Sequence, residues 1–257
     1  MRNKIINKKA QIAIWVILAI LLVFVILSIF LVRKKPGIDS VLEAEPNVYI
    51  EKCARDYVNE AVDLMLPQGG FVEPKDYKVY ENMKIAYLCK NSKNIYGCIN
   101  QHPALLDEIT KEIENYISPK IEMCFSQLKE EIEKRRGKLE LGEINLSVDL
   151  SLSRVIVKID RVIIMTKAEK TSKYENFNTE MNSPIYDLTN VAIEISNSEN
   201  KYCYFEYVGY MITHSRFSIE KWMMGDNTKI YTIEDRESKK KMNIAITSKN
   251  CRGGATI

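Results

Sequence analysis

Between Ile12 and Val32 the chain carries no charged residue, and Ser28 is its one polar side chain apart from Gln11 at the edge. At about 1.5 Å per residue, a helix of that stretch spans roughly 30 Å, the thickness of a bilayer's hydrocarbon core. It is longer than a secretory h-region and no small-x-small cleavage sequence follows it. The pattern therefore predicts one N-terminal transmembrane helix within residues 11–35. Arg33-Lys34-Lys35-Pro36-Gly37 ends it, because proline and glycine break helices. Residues 1–10 form a basic leader, 36–46 read as a linker, and 47–257 remain for a folded domain.

Within that domain the hydrophobic period changes along the chain. Ile50, Cys53, Tyr57/Val58, Ala61/Val62 and Met65 recur at helical spacing. Asn47 is positioned to cap that helix, and Gly69-Gly70 to supply its left-handed exit. Residues 71–102 read as short strands and loops. Leu106, Ile109, Ile113, Tyr116/Ile117, Cys124, Leu128 and Ile132 mark one stripe of a helix from Pro103 to about Arg136, which Pro119 is expected to kink or divide near Ser118. From Glu143 the period becomes two. Ile144, Leu146, Val148, Leu150 and Leu152 alternate with polar residues as in a half-buried strand, and Arg154 to Thr166 reads as a second. Ser183-Pro184 opens a helix carrying Ile185, Leu188, Val191/Ala192 and Ile195, and three further β-like runs follow at 216–222, 228–234 and 242–247. The expected class is α+β: helices packed on antiparallel sheet, then a helix and a β-meander, with subdivision near 140 and 200 left open.

Charge sharpens this picture. The net charge of +3 conceals a division: seven of the 37 basic residues and no acid lie in residues 1–35, which leaves 30 basic against 34 acidic residues, a net of −4, for the rest. A mildly acidic domain lacks the basic footprint that nucleic-acid binding requires. Four basic residues precede the apolar helix and three follow it, so the positive-inside rule is nearly balanced. The six cysteines decide the orientation. Cys53, Cys89, Cys98, Cys124, Cys203 and Cys251 all follow the helix and are even in number, as expected of a disulfide-bonded domain in an oxidising compartment. Six reduced thiols in a cytosolic domain are the alternative. Cys89 and Cys98 can close a loop of turn formers, Cys53 and Cys124 lie on apolar helix faces, and Cys203 and Cys251 bracket the meander. These are one choice among about 15 pairings.

The leader runs directly into the apolar helix through Lys8-Lys9-Ala10-Gln11. This junction resembles the class III (type IV prepilin-like) signal peptides of archaeal surface proteins, which a membrane peptidase cuts just before the Gln. The resemblance implies a mature chain beginning at Gln11 with its helix retained. Pilins usually carry Glu at the fifth mature position, where this chain has Trp15, and their helices continue past the membrane, where this one stops at Pro36-Gly37. An uncleaved signal anchor stays open beside processing. More broadly, the chain looks like uncharacterised single-pass proteins of small-genome archaea. Gln68-Gly69-Gly70 after a cysteine helix, the acidic helix carrying Cys124 and an Ala-Ile strand before Cys251 carry that likeness. It implies a shared architecture and no activity.

Motifs of known chemistry are missing. The sequence has no Cys-x-x-Cys, His-Glu-x-x-His, EF-hand, Walker loop or Gly-x-Gly-x-x-Gly turn, and therefore offers no expected cofactor or metal ligand. Its two histidines, His102 and His214, lack the Gly-x-Ser-x-Gly setting of a hydrolase. Asn145-Leu146-Ser147 is an N-glycosylation sequon whose place on a strand lets Asn145 point outward, compatible with a surface glycan. Tyr202, Tyr204, Tyr207 and Tyr210 surround Cys203 with Phe205 among them, suited either to a core and its rim or to an exposed patch. Together these features point to a membrane-anchored, non-enzymatic surface or envelope component that contacts the bilayer and a protein or glycan partner. The alternative is a tethered enzyme or ligand-binding domain, to be recognised by a polar cleft holding His102 or His214 with a carboxylate.

Overall fold

The computed structural model describes Leu18 and residues 20–23, 46–92 and 97–248. Ala10, Gln11, Cys251, most of the apolar stretch and nearly all of the linker lie outside the described residues. The chain divides at Pro46 into two units. In the first, Leu18 and residues 20–23 are helical and their aliphatic side chains are exposed. Among the described residues no helix is long and apolar enough to cross a membrane.

The second unit is α+β with two sheets. Helix α1 (Pro46–Met65) buries Ile50, Ala54, Val58, Ala61, Val62 and Met65, a stripe of i,i+4 spacing. It starts at Pro46, the first-turn position a proline's fixed φ favours. Asn47, expected as its cap, therefore lies inside it. A short 3₁₀ turn (Leu66–Gln68) follows, and the chain leaves through Gly69 (φ 82°) and Gly70 (φ 96°). Gly70 donates its N–H to the Met65 carbonyl at 2.9 Å. A Cβ there would stand 2.4 Å from Ile109 Cδ1, so glycine also permits the close approach of the next helix. Helix α2 (Leu105–Lys134) runs 30 residues without division. Pro119 does not break it, because its buried stripe of Ile113, Ile117, Ile121 and Phe125 passes straight through that position.

Strands β1 (Tyr77–Tyr80), β2 (Met83–Lys90) and β3 (Ile99–Asn100) precede α2; β4 (Lys138–Ser151), β5 (Arg154–Lys167), β6 (Lys170–Tyr174) and β7 (Phe177–Asn182) follow it. Helix α3 (Ile185–Tyr202), helix α4 (Tyr207–Thr213) and β8 (Phe217–Met223), β9 (Thr228–Asp235) and β10 (Lys241–Thr247) complete the order. Leu152, expected on the apolar face of the first long strand, sits instead in the tight β4–β5 turn and is 71% exposed. The four-stranded sheet is antiparallel: β4 lies along one side of β5, while β6 and β7 share the other side end to end. The six-stranded sheet runs β1-β2-β10-β9-β8, with β3 on β2. Here the expectation of a purely antiparallel sheet fails, because β10 pairs with β2 in parallel. The intervening chain supplies the long crossover that parallel neighbours need. Residues before 140 and after 200 thus share one sheet.

On β5 one inward position is polar. Val155, Val157, Ile159 and Ile163 alternate inward along β5, and Arg161 takes the position between the last two. Its guanidinium binds both oxygens of Glu122 on α2 at 2.7 and 3.1 Å, lies over the Phe125 ring, and donates from Nε to the Gly142 carbonyl at 2.9 Å. That last bond fills the gap where β4 bulges between Leu141 and Ile144. Arg161→Met is expected to keep the apolar contact with Phe125, leave the Gly142 carbonyl unpaired and cost about 1–3 kcal/mol in chemical denaturation.

Candidate functional site

Among the described residues helix α3 carries four of the eleven buried polar side chains. Leu188, Ala192 and Ile195 form its apolar stripe, yet Asp187, Thr189, Ser196 and Glu199 are buried as well. A helix buried this broadly meets neighbours on more than one side, and α3 touches strands of both sheets.

Beside its N-terminal end lies a cleft of about 580 Å³, lined by Ser153, Arg216, Asp235 and Ser238, with Asp187 buried behind Ser153 and Arg216. Arg216, at the entry to β8, is the hub. Its Nε donates to Asp235 at 2.7 Å, one terminal nitrogen to Ser153 Oγ at 3.0 Å and the other to Asp187 at 3.1 Å. Ser153 occupies the left-handed position of the β4–β5 turn (φ 57°) and gives Asp187 both its backbone N–H and its hydroxyl at 3.0 Å. Ser238 closes the far side with a 2.5 Å hydrogen bond to Asp235. Burial raises the Asp235 carboxyl, but hydrogen bonds from Arg216 and Ser238 outweigh it and hold the group below its ordinary value. Three of the arginine's N–H groups and oxygens of both aspartates are thus engaged within the cluster. The cluster pins the β4–β5 turn, α3 and the ends of β8 and β9 together.

A second depressed carboxylate lies on the β8–β9 hairpin, where a hydrogen bond from Lys78 is the main cause bringing Asp226 down to about 2. Groups lowered in the folded state stabilise it fully above their unfolded value and lose that contribution as pH falls through the folded one. Stability is therefore expected to fall below about pH 4 in urea titrations. Asp226→Asn is expected to flatten the part of that slope that reaches down to about pH 2. An unchanged slope would show that the Lys78 contact contributes nothing.

At the other end of α3, Glu199 is fully buried and binds two partners from β9. Lys229 donates to it at 2.5 Å and to the Cys203 carbonyl at 2.7 Å, and the Tyr231 hydroxyl donates to its second oxygen. Burial, then the neighbouring Glu199 charge, push the Tyr231 hydroxyl far above its usual range, so it stays a donor. The lysine sits where a cation favours a helix C-terminus. Cys203 ends the helix in the left-handed conformation (φ 58°).

Around this point the surface turns apolar. Phe205 is core, packing at 5.3 Å on Tyr210 and edge-on to Tyr231. Tyr202 and Tyr204 are exposed and Tyr207 and Tyr210 half-buried, so the tyrosines form a rim around the buried Phe205. Helix α4 buries none of its residues; Ile212 is 77% exposed, and Val208 on the same face is exposed too. On β8 Trp222 and Met223 are exposed on opposite faces of the strand, while Lys221, on the face of Met223, lies 5.1 Å from the ring centres of both Tyr204 and Tyr207. Part of the β8 edge is covered: Phe217 and Ile219 direct their N–H groups to the His214 carbonyl and to Met211 Sδ.

The residues singled out from sequence fall in separate places. His102 pairs with Glu108 at 2.6 Å and packs on Phe71; His214 stacks on Tyr210 at 4.0 Å. Neither lines the cleft. Cys53 is bridged to Cys124 and Cys89 to Cys98, with Cα separations of 6.6 and 5.4 Å. Cys203 is disulfide-bonded too, while Cys251, the partner expected for it, lies outside the described residues. Asn145 is exposed on the outer face of β4. Among the described residues no cluster of three or more His, Cys, Asp or Glu could hold a metal ion. Sequence reasoning missed Arg216, Asp187, Asp235, Glu199, Lys229 and Tyr231. A signal existed for two of them. Glu199 stands one turn beyond Ile195, where the helical stripe calls for an apolar residue, and Lys229 shares the inward parity of Tyr231 and Ile233. No model of a protein family, no curated protein and no solved structure matches the chain.

Proposed function

We propose that this chain is a membrane-anchored, extracytoplasmic surface or envelope protein that acts by binding and assembly rather than by catalysis. The observation that carries this reading is the pairing of cysteines in a domain that follows a charge-free apolar stretch. Two bridges join cysteines 71 and 9 residues apart, and a reducing cytosol does not sustain such bonds. Leu18 and residues 20–23 fit the anchor, being helical and exposing only aliphatic side chains. Its prepilin-like junction at Ala10-Gln11 suits a surface component that reaches its place with the helix retained.

The binding role is supported by the composition of the α4–β8 surface. Exposed aromatic and aliphatic side chains such as Tyr204, Val208 and Ile212 are what contact surfaces favour. Against a catalytic role stands the Arg216 cleft, where Arg216, Asp235, Ser153 and Ser238 are engaged in hydrogen bonds with one another and with Asp187. Protease treatment of intact cells tests the placement. The domain is expected to be clipped from outside while a cytosolic control survives; protection until lysis would contradict it. A filament role further requires oligomers, so finding only monomers in gentle membrane extracts would remove the pilin-like version and leave the anchored one.

A further inference from the structure

We infer that Asn145 carries an N-linked oligosaccharide that shields the free edge of the four-stranded sheet. The chain contains one Asn-x-Ser/Thr sequence, Asn145-Leu146-Ser147. Strand geometry separates its three residues by face. Leu146 turns inward, while Asn145 and Ser147 are both exposed on the outer face, two residues apart and side by side. Among the described residues neither the Asn145 carboxamide nor the Ser147 hydroxyl makes a hydrogen bond, so the acceptor nitrogen is free. Opposite them on β5 stand Asp160 and Lys158, the latter turned to Asp149 at 2.6 Å. No apolar side chain would be covered by a sugar at this point.

The site has a physical use. Among the described residues β4 pairs only with β5, so the other side of its 14 residues is a sheet edge. Val148 directs its N–H away from β5, to Glu114 at 2.8 Å. By the alternation of an antiparallel ladder, Ile144, Leu146 and Leu150 turn their peptide groups the same way. Glu114 covers one of these positions. An edge this long is a template for pairing with another chain, and proteins blunt such edges with charge, bulges or bulk. The bulge at Gly142-Glu143 interrupts one half, and a glycan rooted at Asn145 guards the other.

The modification forms a bond from Asn145 Nδ2 to the anomeric carbon of a lipid-phosphate-linked oligosaccharide. The lipid phosphate leaves and the amide gives up one proton. This inference rests on the extracytoplasmic placement proposed above, where such donors and their transferase act. The test is peptide mass mapping of the full chain from its native membranes, with disulfide state read in the same sample. The tryptic peptide Leu139–Arg154 is expected to exceed its sequence mass by whole sugar residues. Asn145→Gln and Ser147→Ala should abolish the excess, while Ser147→Thr should retain it. An unmodified peptide with the bridges intact would overturn the glycan and leave the placement standing; an unmodified peptide with free thiols would overturn both.

Discussion

Lys229→Met is expected to lower the stability of the domain by about 3–5 kcal/mol, the largest effect of any single substitution considered. Glu199 is fully buried, and its two carboxylate oxygens are met by the Lys229 ammonium and the Tyr231 hydroxyl. Methionine keeps the aliphatic stem but leaves the carboxylate with one neutral donor. It also strips the Cys203 carbonyl at the end of α3 of its bond to the lysine. Buried pairs contribute little net stability but are costly to break from one side. Lys229→Met combined with Glu199→Gln should therefore recover most of the loss, since a neutral amide still accepts from Tyr231. Urea unfolding of the oxidised protein checks both variants. A double variant no more stable than the single one would show that the charge pairing is not what matters here.

The bridge between α1 and α2 is the second large effect. Cys53 and Cys124 are 71 residues apart, and closing a loop of that length is worth about 4 kcal/mol by loss of unfolded-state entropy. The Cys89–Cys98 bridge spans 9 residues and is worth about 2.5–3 kcal/mol on the same account. Replacing Cys53 and Cys124 by alanine should therefore cost more than replacing Cys89 and Cys98. Access should set the order of reduction differently from stability. Cys89 and Cys98 are buried, whereas Cys53 is only half-buried, so a mild reductant is expected to open Cys53–Cys124 first in the native protein. Equal losses for the two pairs would show that loop length does not govern their contribution.

Much of the helical architecture was legible because a buried stripe repeats locally. Ile109, Ile113, Ile117 and Leu128 mark α2, and Ile185, Leu188 and Ile195 mark α3, each without knowledge of what the helix packs against. The strands β5, β8, β9 and β10 were legible to within a residue or two for the same reason. What local periodicity cannot contain is the identity of a partner. The parallel pairing of β10 with β2 joins Ala245 to Tyr87 across most of the domain, and no feature of either strand announces the other. β6 was missed because Lys170–Tyr174 buries neither face and so shows no alternation of apolar and polar residues. α4 was missed for the parallel reason: with no buried residue it has no stripe.

The polar sites follow the same division. The cysteines and the Asn145 sequon are recognisable by residue type alone. Arg216 is not, since an arginine before a strand is ordinarily solvated. Its role arises only when Ser153, Asp187 and Asp235 are brought around it from three other segments. Arg161 was closer to legible, standing at an inward position between Ile159 and Ile163, where alternation calls for an apolar side chain.

The most direct test of an anchored, extracytoplasmic domain is the intact mass of the protein taken from native membranes without reductant, alkylated before and after reduction. All six cysteines are expected to react only after reduction, and the same spectrum reads whether residues 1–10 have been removed. Six alkylations before reduction would place the domain in the cytosol and contradict the account.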